Sequence, residues 1–527
     1  MLISPATIGA IQQDPIRRIF KQASLDLRFA DDKSLVDATT GASLVTFTRA
    51  SSGTFVGSDG VLRTAVTNLV LRSEEFDNAS WPKTGTPTVT ANSSVSPDGT
   101  TTAELFTRTT TGSTFIQQIL VKAASALTYT FSVYAKQSVG NFIALRTQGT
   151  YPARADVVFN LGTGAIASAA SVVAGFASAS ATITPLVNGW YRLTLTATTD
   201  AVTNFQAVVS VNSNGGQVDG TDSVSNSACF LWGAQLEQST TVGEYIPTTS
   251  VINSAPRFDH NPTTGESLGL LVEEQRTNLL LNSATLSTQS VTVAAAANTL
   301  SFYGTGTVTL TGVSTAGPLV GTGANNRVSL TFTPTVGVLI LTVSGSVTNA
   351  QLEAGAFPTS YIPTTTAAAT RSADVASITG TAFSSWYQED EGTVFIEGIV
   401  SPGLSSFPWF YNISDGTTNN SIGAYQFTSG IYGAVVASGT TATPNPAVLF
   451  TPVSGTAAKH AFAVKTSDTR AAYNATLSVA QTSTVMPVVS QLSIGQSLSS
   501  NRINSTIKRL VYWGQRLPNN VLQAITQ

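Results

Sequence analysis

Residues 406–426, SFPWFYNISDGTTNNSIGAYQ, crowd aromatic rings, amides and a carboxylate into one loop-rich stretch. Trp409 and Tyr411 offer flat apolar faces, and Asp415, Asn419 and Asn420 offer planar hydrogen-bonding groups. That combination suits a sugar, whose ring stacks on an aromatic while its hydroxyls meet amides and carboxylates. These five residues are the candidate glycan-binding set. The competing reading makes Trp409 and Phe410 plain strand core.

Glycan cleavage would instead need two carboxylates, about 5–5.5 Å apart in retaining enzymes. The densest acidic cluster is Glu389-Asp390-Glu391. Adjacent residues on a strand point to opposite faces, so this run reads as a solvated turn before Gly392. Glu74-Glu75 and Glu273-Glu274 read as solvent-facing pairs. His260 lies in the turn Asp259-His260-Asn261-Pro262, without partners at metal-ligand spacing. Asp415 and Asp468 also sit in turns, with no dense calcium loop around them. No Gly-x-Ser-x-Gly elbow or phosphate-binding loop occurs. No catalytic residue, metal or cofactor is expected.

The scaffold for these groups is legible in composition. Only 10% of the 527 residues are charged, against roughly 25% in an ordinary domain. Thr, Ser, Val, Ala and Gly dominate, as in pleated strands joined by tight turns. The fold class is all-β. The net charge of −3 and the absence of a basic cluster exclude the footprint of a nucleic-acid binder. No apolar run reaches the ~20 residues of a membrane helix, and the N-terminus shows no signal-peptide pattern. The single cysteine, Cys229, cannot form an internal disulfide and reads as a core residue made in a reducing compartment.

An internal repeat organises the chain. WGAQLEQSTTVGEYIPTT at 232–249 is answered by TNAQLEAGAFPTSYIPTT at 348–365, and TNLVLRSEEF from Thr67 by TNLLLNSATL from Thr277. Gln235 and Gln351 should therefore occupy equivalent terminal strands of two related domains. Residues 68–250 read as a jelly roll with Trp190 and Trp232 in its core. Residues 277–370 read as a shortened second copy, and 371–527 as a further sandwich closed by a C-terminal helix. Residues 31–67 form a β-hairpin region around Asp59-Gly60, and 251–276 a hairpin linker. Residues 1–30 carry Ile8, Ile11, Ile16, Ile19 and Phe20 at roughly helical spacing, a candidate attachment segment or a helix folded onto its own domain.

TNLVLRSEEFDNASW, NGWYRLTLTAT, WGAQLE and SYIPTT resemble the carbohydrate-binding-module-like repeat of tailed-bacteriophage fibre and head-spike proteins. PRFDHNPTTGESLGLLVEEQRTNLL resembles a linker of the same proteins. EGTVFIEG followed by NSTIKRLVYWGQRLPNNVLQAIT resembles the concanavalin A-like, laminin-G-like lectin fold. The resemblance implies a virion protein assembled in the host cytoplasm, of tail-fibre or spike type, binding host surface polysaccharide. A capsid-attached head fibre with a structural role is the alternative. It also implies trimers; the short second copy, with strand edges in need of cover, is a separate reason to expect an oligomer. The N-terminal segment would contact other virion proteins.

Overall fold

The computed structural model describes residues 15–216, 218–220, 226–403, 407–441, 447–449, 451–498 and 500–527. The chain is all-β, with 49% of residues in strands and 5% in helices. Residues 66–255 with 50–52 form one compact unit, and the remainder forms another.

The first unit is a sandwich of two six-stranded antiparallel sheets. One runs in the order 178–185, 190–198, 128–139, 228–237, 103–107, 88–94. The other runs 165–173, 154–160, 142–148, 204–212, 115–121, 83–84. Alternation explains the layering: Tyr129, Phe131, Val133 and Ala135 of one strand all point into the core. Tyr134 points to the opposite face, where it packs with Trp190 and Trp232. Both tryptophans are buried, and their indole N–H groups donate to Val95 O and Thr102 Oγ1 at 3.1 Å. Cys229 is buried in the core, and burial pushes its thiol pKa up.

The repeated motif is a clasp. Asn68 Nδ2 donates to the carbonyls of Ala234 (2.9 Å) and Ile246 (2.8 Å), and its Oδ1 accepts from Val70 N and Leu236 N. Asn278 repeats all four bonds with Ala350, Ile362, Leu280 and Leu352. Gln235 accepts from Ile246 N at 2.8 Å, and Gln351 from Ile362 N at 2.6 Å. Tyr245 meets Ser73, and Tyr361 meets Ser283, each at 2.7 Å. The clasp ties the entry of each sandwich to its last strand, so the recurring residues serve closure of the fold. Asn278→Ala strips partners from four buried backbone groups and should cost about 3 kcal/mol in urea unfolding. A loss below about 1 kcal/mol, that of one ordinary hydrogen bond, would show that the clasp is dispensable.

The second unit holds two sandwiches. The shortened copy pairs a three-stranded sheet (323–332, 298–304, 347–354) with a four-stranded one (289–293, 337–344, 307–312, 319–320). The terminal sandwich has two eight-stranded sheets. One contains 258–260, 267–272, 505–513, 391–399, 457–465, 470–473 and 476–477, with 25–27 also on 505–513. The other contains 46–48, 375–379, 491–494, 409–414, 421–427, 430–437, 440–441 and 447–449.

The sheets of the terminal sandwich run across segments read as separate, 1–30, 31–67, 251–276 and 371–527. Segments from the N-terminal region and from the expected linker are strands of the terminal sandwich. Leu25, Leu27, Phe47, Leu270 and Val272 share its core with Ile396, Phe410 and Leu510. Of the two readings of the N-terminal segment, the helix folded onto its own domain describes Ile16, Ile19 and Phe20. Residues 15–20 are helical, and Ile16, Ile19 and Phe20 pack against Phe395, Trp513, Leu517, Leu522 and Ile525. The Phe20 ring lies 5.5 Å from those of Phe395 and Trp513, and the Arg509 guanidinium sits 4.1 Å from it. Trp513 Nε1 donates to Ile19 O at 2.8 Å. These side chains seal their own domain. Ile8 and Ile11 lie outside the described residues.

A buried ion network fastens the expected linker in place. Asp374 meets Arg49 at 2.8 Å and also pairs with Arg257, all three with fully buried side chains. Glu273 meets Arg257 at 2.8 Å and Arg371 at 2.9 Å. Burial alone would raise the Glu273 carboxyl, yet Arg371 and Arg257, with hydrogen bonds from Ser360, pull it down to about 2. The solvent-facing reading of Glu273 is thereby corrected. The clasp register also aligns Thr67 with Thr277, and hence Glu74 with Ala284, so the two acidic pairs are not equivalent.

Candidate functional site

Three consecutive strands of the terminal sandwich, Trp409–Ser414, Ser421–Phe427 and Gly430–Ala437, build the site. Ile422, Ala424, Ile431 and Val435 point into the core, so Tyr425, Phe427 and Tyr432 stand on the outer face. A bulge decides where Trp409 goes. Trp409 pairs with Tyr425, and Tyr411 already pairs with Ala424, leaving Phe410 as the extra residue. Phe410 and Tyr411 both turn inward and are fully buried, while Trp409 joins the tyrosines outside.

The result is an aromatic ladder across the sheet. The rings of Trp409 and Tyr425 are 5.1 Å apart, and those of Tyr425 and Tyr432 are 5.4 Å apart and nearly parallel. Phe427 stacks on Phe407 at 4.7 Å with an interplanar angle of 1°. Phe407 is 45% exposed and adopts a left-handed φ of 51°, costly for a bulky residue. Gly423 makes room for the indole: a Cβ there would stand 2.6 Å from Trp409 Cζ3. Asn412, opposite Gly423 in the register, is buried, and its Oδ1 has no hydrogen-bond partner among the described residues. Ser429 Oγ and Tyr432 Oη lie 2.7 Å apart at the open end. The surface offers stacking edges and faces with hydroxyls at its rim, and no paired carboxylates.

The five expected residues do not form one site. Trp409 belongs to the ladder. Tyr411 faces the core, and its hydroxyl has no partner among the described residues. Asp415, Asn419 and Asn420 occupy the turn at the other end of the strand, roughly 20 Å from Trp409 at strand rise. Asp415 accepts from Thr417 and Asn420, which hold its carboxyl below the ordinary range. Asn420 Oδ1 accepts from Ser438 N at 3.0 Å, so this turn stitches two hairpins together. Phe407, Tyr425, Phe427 and Tyr432 were missed. For three of them the signal was present in YQFTSGIYG, where Tyr425 and Phe427 stand at period two and Tyr432 follows the turn.

The acidic groups are otherwise engaged. Glu391 accepts from Arg516 N at 3.0 Å and lies 3.6 Å from Lys465, while Glu389 and Asp390 are exposed. Tyr245 Oη donates to Glu74 at 3.0 Å. His260 Nδ1 meets Val56 O at 3.0 Å. Among the described residues, no group of three His, Cys, Asp or Glu is placed to hold a metal ion. No helix among them is long and apolar enough to cross a membrane.

No family model and no curated protein matches the chain. Among solved structures, the chain is similar to the CBM40 of Ruminococcus gnavus IT-sialidase bound to α2,6-sialyllactose. Identity is 11%, covering 27% of this chain and 85% of that one, with a TM-score of 0.23. It is also similar to the enzymatically active domain of bacteriophage CBA120 tailspike protein 4, at 14% identity over 32% of this chain and 21% of that one, TM-score 0.20. Domains LG4-5 of the mouse laminin α1 chain match at 8% identity over 78% of this chain and 91% of that one, TM-score 0.21. At these TM-scores the likenesses carry no argument, and what each neighbour binds is a property of that neighbour.

Proposed function

We propose that the chain is a glycan-binding structural appendage of a virion, of tail-fibre or spike type, whose terminal sandwich contacts host surface polysaccharide. The observation that carries this reading is the ladder of Trp409, Tyr425 and Tyr432 on an outer sheet face, extended by the stacked Phe407 and Phe427. Solvent-facing rings in a row cost hydration, and a sugar's apolar ring face relieves that cost. The virion context is supported by the order of sequence motifs.

Trp409→Ala should weaken binding of host polysaccharide by about 2 kcal/mol, roughly thirtyfold in Kd by titration calorimetry. Asp415→Ala, roughly 20 Å away, should leave binding unchanged. Equal binding by wild type and Trp409→Ala would remove the ladder as the site. Labelled antibody on intact particles separates a tail position from the alternative head-fibre role.

A further inference from the structure

We infer that the strand Gly323–Phe332 pairs antiparallel with the same strand of a second copy of this chain. The internal repeat supplies the reference. In the first sandwich, strand 190–198 lies between 128–139 and 178–185. Its counterpart 323–332 pairs with 298–304 on one side, and among the described residues no strand pairs with its other side. The correspondence is fixed residue by residue. Thr130 and Thr196 hydroxyls meet at 2.9 Å, as do those of Thr299 and Thr331. Arg192 donates to Ser132 Oγ and Gly243 O, and Arg327 donates to Ser301 Oγ and Thr359 O.

What is missing is a whole hairpin. In the first sandwich, strands 165–173 and 178–185 cover the same side of both sheets. In the second, 319–320 runs into 323–332 with two residues between. The core is open in consequence. Leu193 and Leu195 are fully buried, whereas their counterparts Val328 and Leu330 are half-buried, as is the core-facing Leu319 on the edge of the other sheet.

The opening selects its occupant. It spans an edge of each sheet, and a lone extended peptide would cover one. A copy turned about a two-fold axis presents the same two edges and closes both. The two three-stranded sheets would then merge into one of six strands, the number in each sheet of the first sandwich. The edge carries no Lys, Pro or acidic residue to discourage pairing. Its single charge, Arg327, is turned back onto Ser301 and Thr359, so charge neither repels a copy nor selects another partner.

Single cysteines at exposed positions of this edge test the pairing in the full chain, since the native Cys229 is buried. Ser329→Cys and Thr331→Cys are oxidised separately and run on non-reducing gels, with sedimentation of the wild type alongside. The expected result is a wild-type dimer, a disulfide-linked dimer for at least one cysteine variant, and a monomer for the double variant Ser329→Lys, Thr331→Lys. Circular dichroism and thermal melting confirm that each variant is folded. A wild-type monomer at micromolar concentration, or an oligomer that forms neither disulfide, overturns the inference.

Discussion

Replacing Asp374 by alanine is expected to lower the unfolding free energy of its unit by about 3–5 kcal/mol. The carboxylate accepts from Arg49, from Arg257 and from Glu273 N (2.8 Å), and its surroundings exclude water. Removing it takes from Arg49 the carboxylate it meets and leaves Arg257 one carboxylate, Glu273, beside Thr54 O and Ser360 Oγ. Burial, then the like charge of Arg257, lowers the Arg49 pKa to about 10 even with Asp374 beside it raising it. A buried ion network is stabilising only relative to its broken forms. Replacing Arg49, Arg257 and Asp374 together by apolar residues of similar volume should therefore cost less than Asp374→Ala alone. Denaturant unfolding of the full chain measures both. A triple variant less stable than the single one would show that the charges themselves stabilise this fold.

That network also marks where local reading of the sequence stops. The strands of the sandwiches are visible in alternations such as TYTFSVYAK and WYRLTLTAT, because period two is a property of neighbours along the chain. Which strands share a sheet is not such a property. Leu25–Leu27 pairs with Leu510–Tyr512, and Asp26 accepts from Arg509 at 2.7 Å, across 483 residues. Arg257 and Glu273 looked like the flanks of a linker hairpin for the same reason: their partners Asp374 and Arg371 lie a hundred residues on. The N-terminal Ile16, Ile19 and Phe20 showed amphipathic spacing, which predicts an apolar face without saying what covers it.

The candidate site shows a subtler limit. Strict alternation would put Trp409 and Tyr411 on one face, and the sequence gives no sign of the extra residue between them. The bulge at Phe410 separates the two, sending Trp409 to the surface and Tyr411 to the core. The repeat, in contrast, was legible as a repeat but not as a clasp. Its Asn side chains bond backbone groups, its Gln side chains bond backbone and a neighbouring Glu, and its Tyr hydroxyls meet serines, which only the closed sandwich reveals.

His460 should make the terminal sandwich acid-sensitive in a way one substitution removes. Its side chain is fully buried, and neither ring nitrogen has a hydrogen-bond partner among the described residues. Its strand neighbours Ala458 and Phe462 both enter the core between the sheets, so the imidazole does too. Across the sheet it lies opposite Ile396 and Tyr473. Desolvation lowers its pKa from 6.5 to about 3, so the folded state holds the ring neutral. In the unfolded chain the ring protonates below pH 6.5. Stability from this residue is therefore constant at neutral pH and falls as pH drops from 6.5 toward 3, by about 1.4 kcal/mol per pH unit and about 4–5 kcal/mol in all. Other groups titrate in the same range, among them Glu273, so the informative quantity is the difference between two curves. His460→Leu removes both the proton site and an unsatisfied buried N–H. The variant should match or exceed wild-type stability at pH 7, and its advantage should widen steadily toward pH 4. Urea unfolding at four or five pH values measures this. Parallel curves for the two proteins would show that the ring finds a partner or remains protonated in the fold.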